Sequence, residues 1–195
     1  MPLIKICGIH DQSTIPVLNA THPDFVGFVF APSKRQVSRQ QAKQLRQELD
    51  STIPTVGVFV HESIDDMLQA FHDGSISYVQ LHGHENSQQI KTLQEAGAKV
   101  IQVRHDLNEQ KPSAADILLY DNSAGRGQQL DWQPFPACQQ PQLLAGGLTP
   151  GNVQTALQIT HADGIDVSSG VETDGAKDPT KIKQLIHNVR EMEDF

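Results

Sequence analysis

Gln142-Leu143-Leu144-Ala145-Gly146-Gly147 is a short apolar run that ends in a pair of glycines, and Gly164-Ile165-Asp166-Val167-Ser168-Ser169-Gly170 repeats the pattern further on. Each reads as a buried strand that breaks into a turn able to close around an anion with backbone N–H groups. The position of these turns decides the fold. A doubly wound open sheet places its glycine fingerprint in the first βα unit. Here the glycine turns come last, as in a closed barrel, which builds its phosphate site from the loops after strands seven and eight.

Upstream, short β-rich runs alternate with polar, helix-periodic stretches. The expected strands are Leu3–Cys7, Phe25–Phe30, Thr55–Val60, Tyr78–Leu81, Lys99–Val103, Ile117–Asp121, Gln142–Leu144 and Gly164–Val167. Several are continuous apolar runs, as parallel strands covered on both faces should be. Expected helices are Ser38–Leu49, opening on an N-cap serine, Ser63–His72 and Ser87–Ala96, opening the same way, and Pro150–Leu157 and Pro179–Arg190, each with proline in its first turn. The segments His105–Ala115 and Asn122–Pro141 look irregular. The pattern is an α/β chain of residues 1–195 folded as a single, compact (β/α)₈ barrel domain, with one or two crossover helices short or missing.

The composition fits one domain. A chain of 195 residues supports one sizeable core. The net charge of −8 speaks against a nucleic-acid surface, which needs a basic stripe. Cys7 and Cys138 are the only thiols, too few for a disulfide framework, and a reducing compartment is expected. No basic start followed by an apolar stretch suggests a signal peptide, and no run approaches the ~20 apolar residues that span a bilayer. The expectation is a soluble cytoplasmic protein with no membrane partner.

Strand parity selects the residues that face the barrel interior. Leu3, Lys5 and Cys7 share one face, as do Gln80 and His82, Leu119 and Asp121, and Asp166 and Ser168. The last of each set lies at the C-terminal mouth, where barrel enzymes keep their chemistry. Cys7 precedes Gly8 and becomes a base or nucleophile if nearby cations lower its pKa. Asp121 is a candidate general acid if burial raises its own. Gly146, Gly147, Ser168, Ser169 and Gly170 form a candidate phosphate cradle. Arg35, on the loop after strand two, suits a carboxylate. Lys5 faces inward and needs a partner, for which Asp166 is expected. His82-Gly83-His84-Glu85 looks like metal ligands on paper, but no third ligand stands at a recognisable spacing, and no metal is expected. His82 is expected to line the substrate pocket, and Cys138 to be an ordinary thiol.

Taken in order, Lys5-Ile6-Cys7-Gly8-Ile9, Gly27-Phe28-Val29-Phe30 with Pro32 and Arg35, Val56-Gly57-Val58-Phe59-Val60, Val79-Gln80-Leu81-His82-Gly83, Leu118-Leu119-Tyr120-Asp121, Asp131-Trp132, Gly146-Gly147-Leu148 and Asp166-Val167-Ser168-Ser169-Gly170-Val171-Glu172 resemble the phosphoribosylanthranilate isomerase family of tryptophan biosynthesis. The resemblance implies a (β/α)₈ barrel with no metal and no organic cofactor. It implies an aldose–ketose isomerase that converts N-(5′-phosphoribosyl)anthranilate to 1-(2-carboxyphenylamino)-1-deoxyribulose 5-phosphate by an Amadori rearrangement. By position it makes Cys7 the general base and Asp121 the general acid. Arg35 takes the anthranilate carboxylate, and the glycine and serine turns take the phosphate. Its partner is then a small phosphorylated substrate, with the protein a monomer or homodimer. The chain departs from the family pattern at His10, where threonine is usual, in a shorter loop ahead of Arg35, and in the segment Ala124–Leu130. Two alternatives are another phosphosugar isomerase on the same barrel, which would favour two aspartates, and a noncatalytic barrel that binds a phosphorylated metabolite, which has no use for Cys7 and Asp121 together.

Overall fold

Every expected strand forms, with ends shifted by a residue at most. A computed structural model describes residues 1–83, 85–106, 111–121 and 132–192. Its strands are β1 (Leu3–Cys7), β2 (Phe25–Val29), β3 (Thr55–Phe59), β4 (Tyr78–Leu81), β5 (Lys99–Arg104), β6 (Ile117–Tyr120), β7 (Gln142–Ala145) and β8 (Gly164–Val167). All pair in parallel in sequence order, and β8 returns to β1 to close the barrel, with Lys5 opposite Asp166. Parallel neighbours require a crossover on the outside of the sheet, so both faces of each strand are covered. That is why the strands read as apolar runs.

Two cores result. Inside the barrel, Phe25, Val56, Ile101, Val103, Ile117, Leu119, Leu143 and Ala145 pack together. Outside, Ile4, Ile6, Val26, Phe28, Val79, Leu81 and Leu118 meet the helices and are fully buried. Each large aliphatic side chain so buried contributes about 1.5–3 kcal/mol. Apolar side chains fill much of the interior, and polar residues gather at the C-terminal mouth.

The helices are α1 (Ile15–Thr21), α2 (Arg39–Glu48), α3 (Ile64–His72), α4 (Ser87–Glu95), α5 (Val153–Thr160) and α6 (Pro179–Arg190). Ser38 and Gln41 form a capping box at α2, Ser63 caps α3, and Asp178 caps α6 ahead of Pro179. Three helical expectations change. The cap of α4 is Asn86, not Ser87, because its side chain accepts from the Gln88 and Gln89 amides. Helix α5 starts later than Pro150. Asn152 accepts from the Thr149 amide and donates to the Gly147 carbonyl, which holds residues 150–152 in a turn. Short α1 has no counterpart among the expected helices, since Asn19 and Thr21 weaken its helical signal.

Among the described residues no helix lies between β5 and β6 or between β6 and β7. Loop side chains cover the barrel there. The Tyr120 and Phe135 rings meet at a tilt with centroids 4.5 Å apart, and Gln140 donates to the Ser113 carbonyl at 2.8 Å. His84, Asp131 and Ala124–Leu130 lie outside the described residues. After β8 a small hairpin appears that the strand pattern did not announce, β9 (Glu172–Thr173) with β10 (Ala176–Lys177). Asp174 and Gly175 both have positive φ at its turn, as a tight two-residue hairpin requires. No helix among the described residues is long and apolar enough to cross a membrane.

Candidate active site

The C-terminal mouth opens onto a cavity of about 520 Å³. Cys7 from β1 and Asp121, directly after β6, both line it. So do Arg35 and His82, the glycines Gly146 and Gly147 after β7, and Asp166, Ser168, Ser169 and Gly170 on and after β8. Inward parity brings Cys7, His82, Asp121 and Ser168 to one level, because each stands at or just past the C-terminal end of its strand.

On the β1–β8 side the cavity is strongly charged. Lys5 is fully buried, and its Nζ donates to Asp166 Oδ1 at 2.9 Å. Burial pulls the Lys5 ammonium down, but Asp166 and the Cys7 thiol outweigh it and leave the pKa above its ordinary value. Cys7 behaves differently from the expectation. Burial raises its pKa above the ordinary 9.0, and the nearby Lys5 and Lys177 ammoniums only partly offset that. Burial thus favours the neutral Cys7 thiol, while Lys5 and Lys177 favour the thiolate.

Opposite it, Asp121 is nearly buried. His82 Nε2 lies 3.8 Å from Asp121 Oδ2. Burial lowers the His82 pKa, so this ring is neutral at neutral pH. His105 bonds through Nδ1 to the Asp121 carbonyl at 2.8 Å, and its ring sits 5.4 Å from that of His82. The second half of the supposed metal motif serves the loop. Glu85 accepts from the Gly83 amide at 3.0 Å.

The two glycine turns are pressed together. A Cβ on Gly170 would lie 1.7 Å from the Leu148 carbonyl oxygen, so only glycine allows this approach. Gly146 and Gly147 have positive φ, which aims the first turn back toward the second.

Arg35 enters from the loop after β2 but is already engaged. Its Nε and Nη2 donate to Glu172 at 2.6 and 2.8 Å. Lys177 Nζ donates to the same carboxylate at 2.9 Å and to the Ser168 carbonyl at 2.8 Å. These cations hold the Glu172 pKa at about 2, despite its partial burial. Neither Glu172 nor Lys177 was singled out from the sequence. The Asp174-Gly175 pair was the available signal, because a tight turn there sets Lys177 opposite Glu172.

The sequence model of the N-(5′-phosphoribosyl)anthranilate isomerase family matches residues 4–188. The chain belongs to this family. The N-(5′-phosphoribosyl)anthranilate isomerase of Lacticaseibacillus casei is 46% identical over 191 residues, covering 98% of this chain and 96% of the relative. The solved phosphoribosyl anthranilate isomerase of Thermotoga maritima superposes with a TM-score of 0.83 at 31% identity, covering 98% of this chain and all of that one. Another solved phosphoribosyl anthranilate isomerase, in complex with reduced 1-(o-carboxyphenylamino)-1-deoxyribulose 5-phosphate, superposes at 0.81 with 30% identity over the same shares. A further Thermotoga maritima structure is of monomers generated from a dimeric isomerase.

Proposed function

We propose that this member of the phosphoribosylanthranilate isomerase family is an enzyme of tryptophan biosynthesis. It opens the ribose ring of N-(5′-phosphoribosyl)anthranilate and delivers 1-(2-carboxyphenylamino)-1-deoxyribulose 5-phosphate. The observation that carries the reading is one cavity lined by a thiol, a carboxyl and two abutting glycine turns.

Asp121 donates a proton to the ring oxygen, the bond from that oxygen to C1′ breaks, and the nitrogen lone pair forms a protonated Schiff base. That cation withdraws electrons and acidifies the C2′ proton. Cys7, once ionised, removes that proton and leaves an enolamine, which tautomerises to the ketone. Lys5 and Lys177 stabilise the thiolate when it forms. Each positioned proton-transfer group is worth ~10²–10⁴ in rate. The glycine turns and Ser168–Gly170 receive the phosphate. The ion pair with Glu172 leaves the remaining Arg35 nitrogen, Nη1, outside it to meet the anthranilate carboxylate. Fixing both ends of the substrate removes part of the entropic barrier.

A single domain spanning the chain suffices for this chemistry, and a cytoplasmic setting suits a buried free thiol. The decisive assay follows the loss of N-(5′-phosphoribosyl)anthranilate fluorescence with purified protein. Turnover supports the reading. Phosphate-ligand binding without turnover favours a noncatalytic barrel, and turnover of a different phosphosugar favours a sibling isomerase.

A further inference from the structure

We propose that Gln80 is a substrate-binding residue of this site. Its side-chain carbonyl accepts a hydrogen bond from a hydroxyl or N–H of the sugar-amine part of the ligand, and its NH₂ group sets the tautomer of His82. This rests on the functional reading above and adds a residue to it.

Gln80 sits in the middle of β4, paired in register with Val58 on one side and Ile101 on the other. Inward parity sends its side chain into the barrel beneath His82, where it is 1% exposed and lines the cavity. A buried glutamine amide is out of keeping with a barrel interior otherwise packed with apolar side chains. Its two ends are unequally served. Nε2 lies 3.4 Å from His82 Nδ1. Oε1 is buried and has no hydrogen-bond partner. Buried acceptors are nearly always paired, so an orphan at the floor of an open cavity marks where a donor is to arrive.

The orientation of the amide follows from its neighbours. His82 Nε2 faces the Asp121 carboxyl at 3.8 Å. With the glutamine NH₂ against Nδ1, the one proton of a neutral imidazole sits on Nε2, on the side of Asp121. The carbonyl end is left turned away from His82, buried and without a donor. Both ends of the substrate are taken by other groups, the phosphate by the glycine turns and the carboxylate by Arg35. What passes over β4 is the sugar carbon chain and its amine, whose O–H and N–H groups are the donors Oε1 lacks.

The test compares wild type with Gln80→Met, which keeps the side-chain volume and removes the amide. Binding of reduced 1-(o-carboxyphenylamino)-1-deoxyribulose 5-phosphate and of inorganic phosphate is measured by calorimetry, with thermal melting of the ligand-free proteins. The expected result is a loss of about tenfold in analogue affinity, the effect of one hydrogen bond, with phosphate affinity unchanged. The ligand-free variant should melt close to wild type, because removing the orphaned acceptor offsets the hydrogen bond that His82 Nδ1 loses. A purely structural glutamine predicts the opposite, a lower melting point with both affinities reduced together, and that result overturns the proposal. So does unchanged analogue affinity. If Q80M does not fold, Gln80→Asn, which withdraws the amide by one methylene, takes the same comparison. A wild-type protein that ignores the analogue while binding phosphate overturns the functional reading and this inference with it. Normal wild-type binding matched by Q80M overturns the inference alone.

Discussion

Burial and charge pull Cys7 in opposite directions. Its pKa lies above the ordinary thiol value although two ammoniums stand nearby, because water is excluded from the sulfur. Cys7→Ala and Asp121→Asn should each lower kcat by at least about 10² with a much smaller change in KM. Wild-type turnover in either variant removes that residue from its role. Glu172 carries a pH signature. Its folded pKa of about 2 lies below the ordinary 4.5, so its contribution to stability is complete above pH 4.5 and fades as pH falls toward 2. Glu172→Gln should be less stable than wild type at pH 6, with the gap closing in acid. Denaturant unfolding across that range checks it, and a gap independent of pH would show that the carboxylate charge is not what stabilises the fold.

At the scale of elements, the phosphate cradle depends on two loops touching. The turn after β8 approaches the Leu148 carbonyl so closely that a methyl group at Gly170 has no room. Gly170→Ala should push the turns apart, lowering stability by about 1–3 kcal/mol, as overpacking does, and weakening inorganic phosphate by at least about tenfold. Unaltered phosphate affinity would place the anion elsewhere. The β9–β10 hairpin is the second such device. Lys177 ties Ser168 to Glu172 on the facing strand, and through Glu172 to Arg35. A loop after β2 and a turn after β8 are thereby held at one spacing across the mouth, the spacing that separates the two proposed grips on the substrate.

For the whole molecule, closure is the governing fact. β1 has to find β8, and α6 secures the join. Arg190 on α6 donates to the Pro2 carbonyl at 3.0 Å and to Asp24 at 2.7 Å, next to the first two strands. Neither half of the barrel has its own closed sheet, so we propose that the described chain unfolds as one unit. Far-ultraviolet circular dichroism and Trp132 fluorescence should then give coincident thermal transitions. Two separated transitions would reveal independent halves.

The strands, the barrel and the level at which Cys7, His82, Asp121 and Ser168 lie were legible in the sequence, because period-two alternation and burial on both faces leave a local imprint. The start of α5 was not, since Asn152 spends its side chain on a turn rather than a cap. The sequence alone also determined that Lys5 needed an acid, and strand order made Asp166 the candidate. Only the tertiary structure decided that Arg35 is already clasped by Glu172, that Lys177 reaches Ser168, that burial outweighs two cations at Cys7, and that the Gln80 carbonyl is left without a donor. These are matters of distance between segments far apart in the chain and of how much water their meeting excludes, and a linear pattern carries neither.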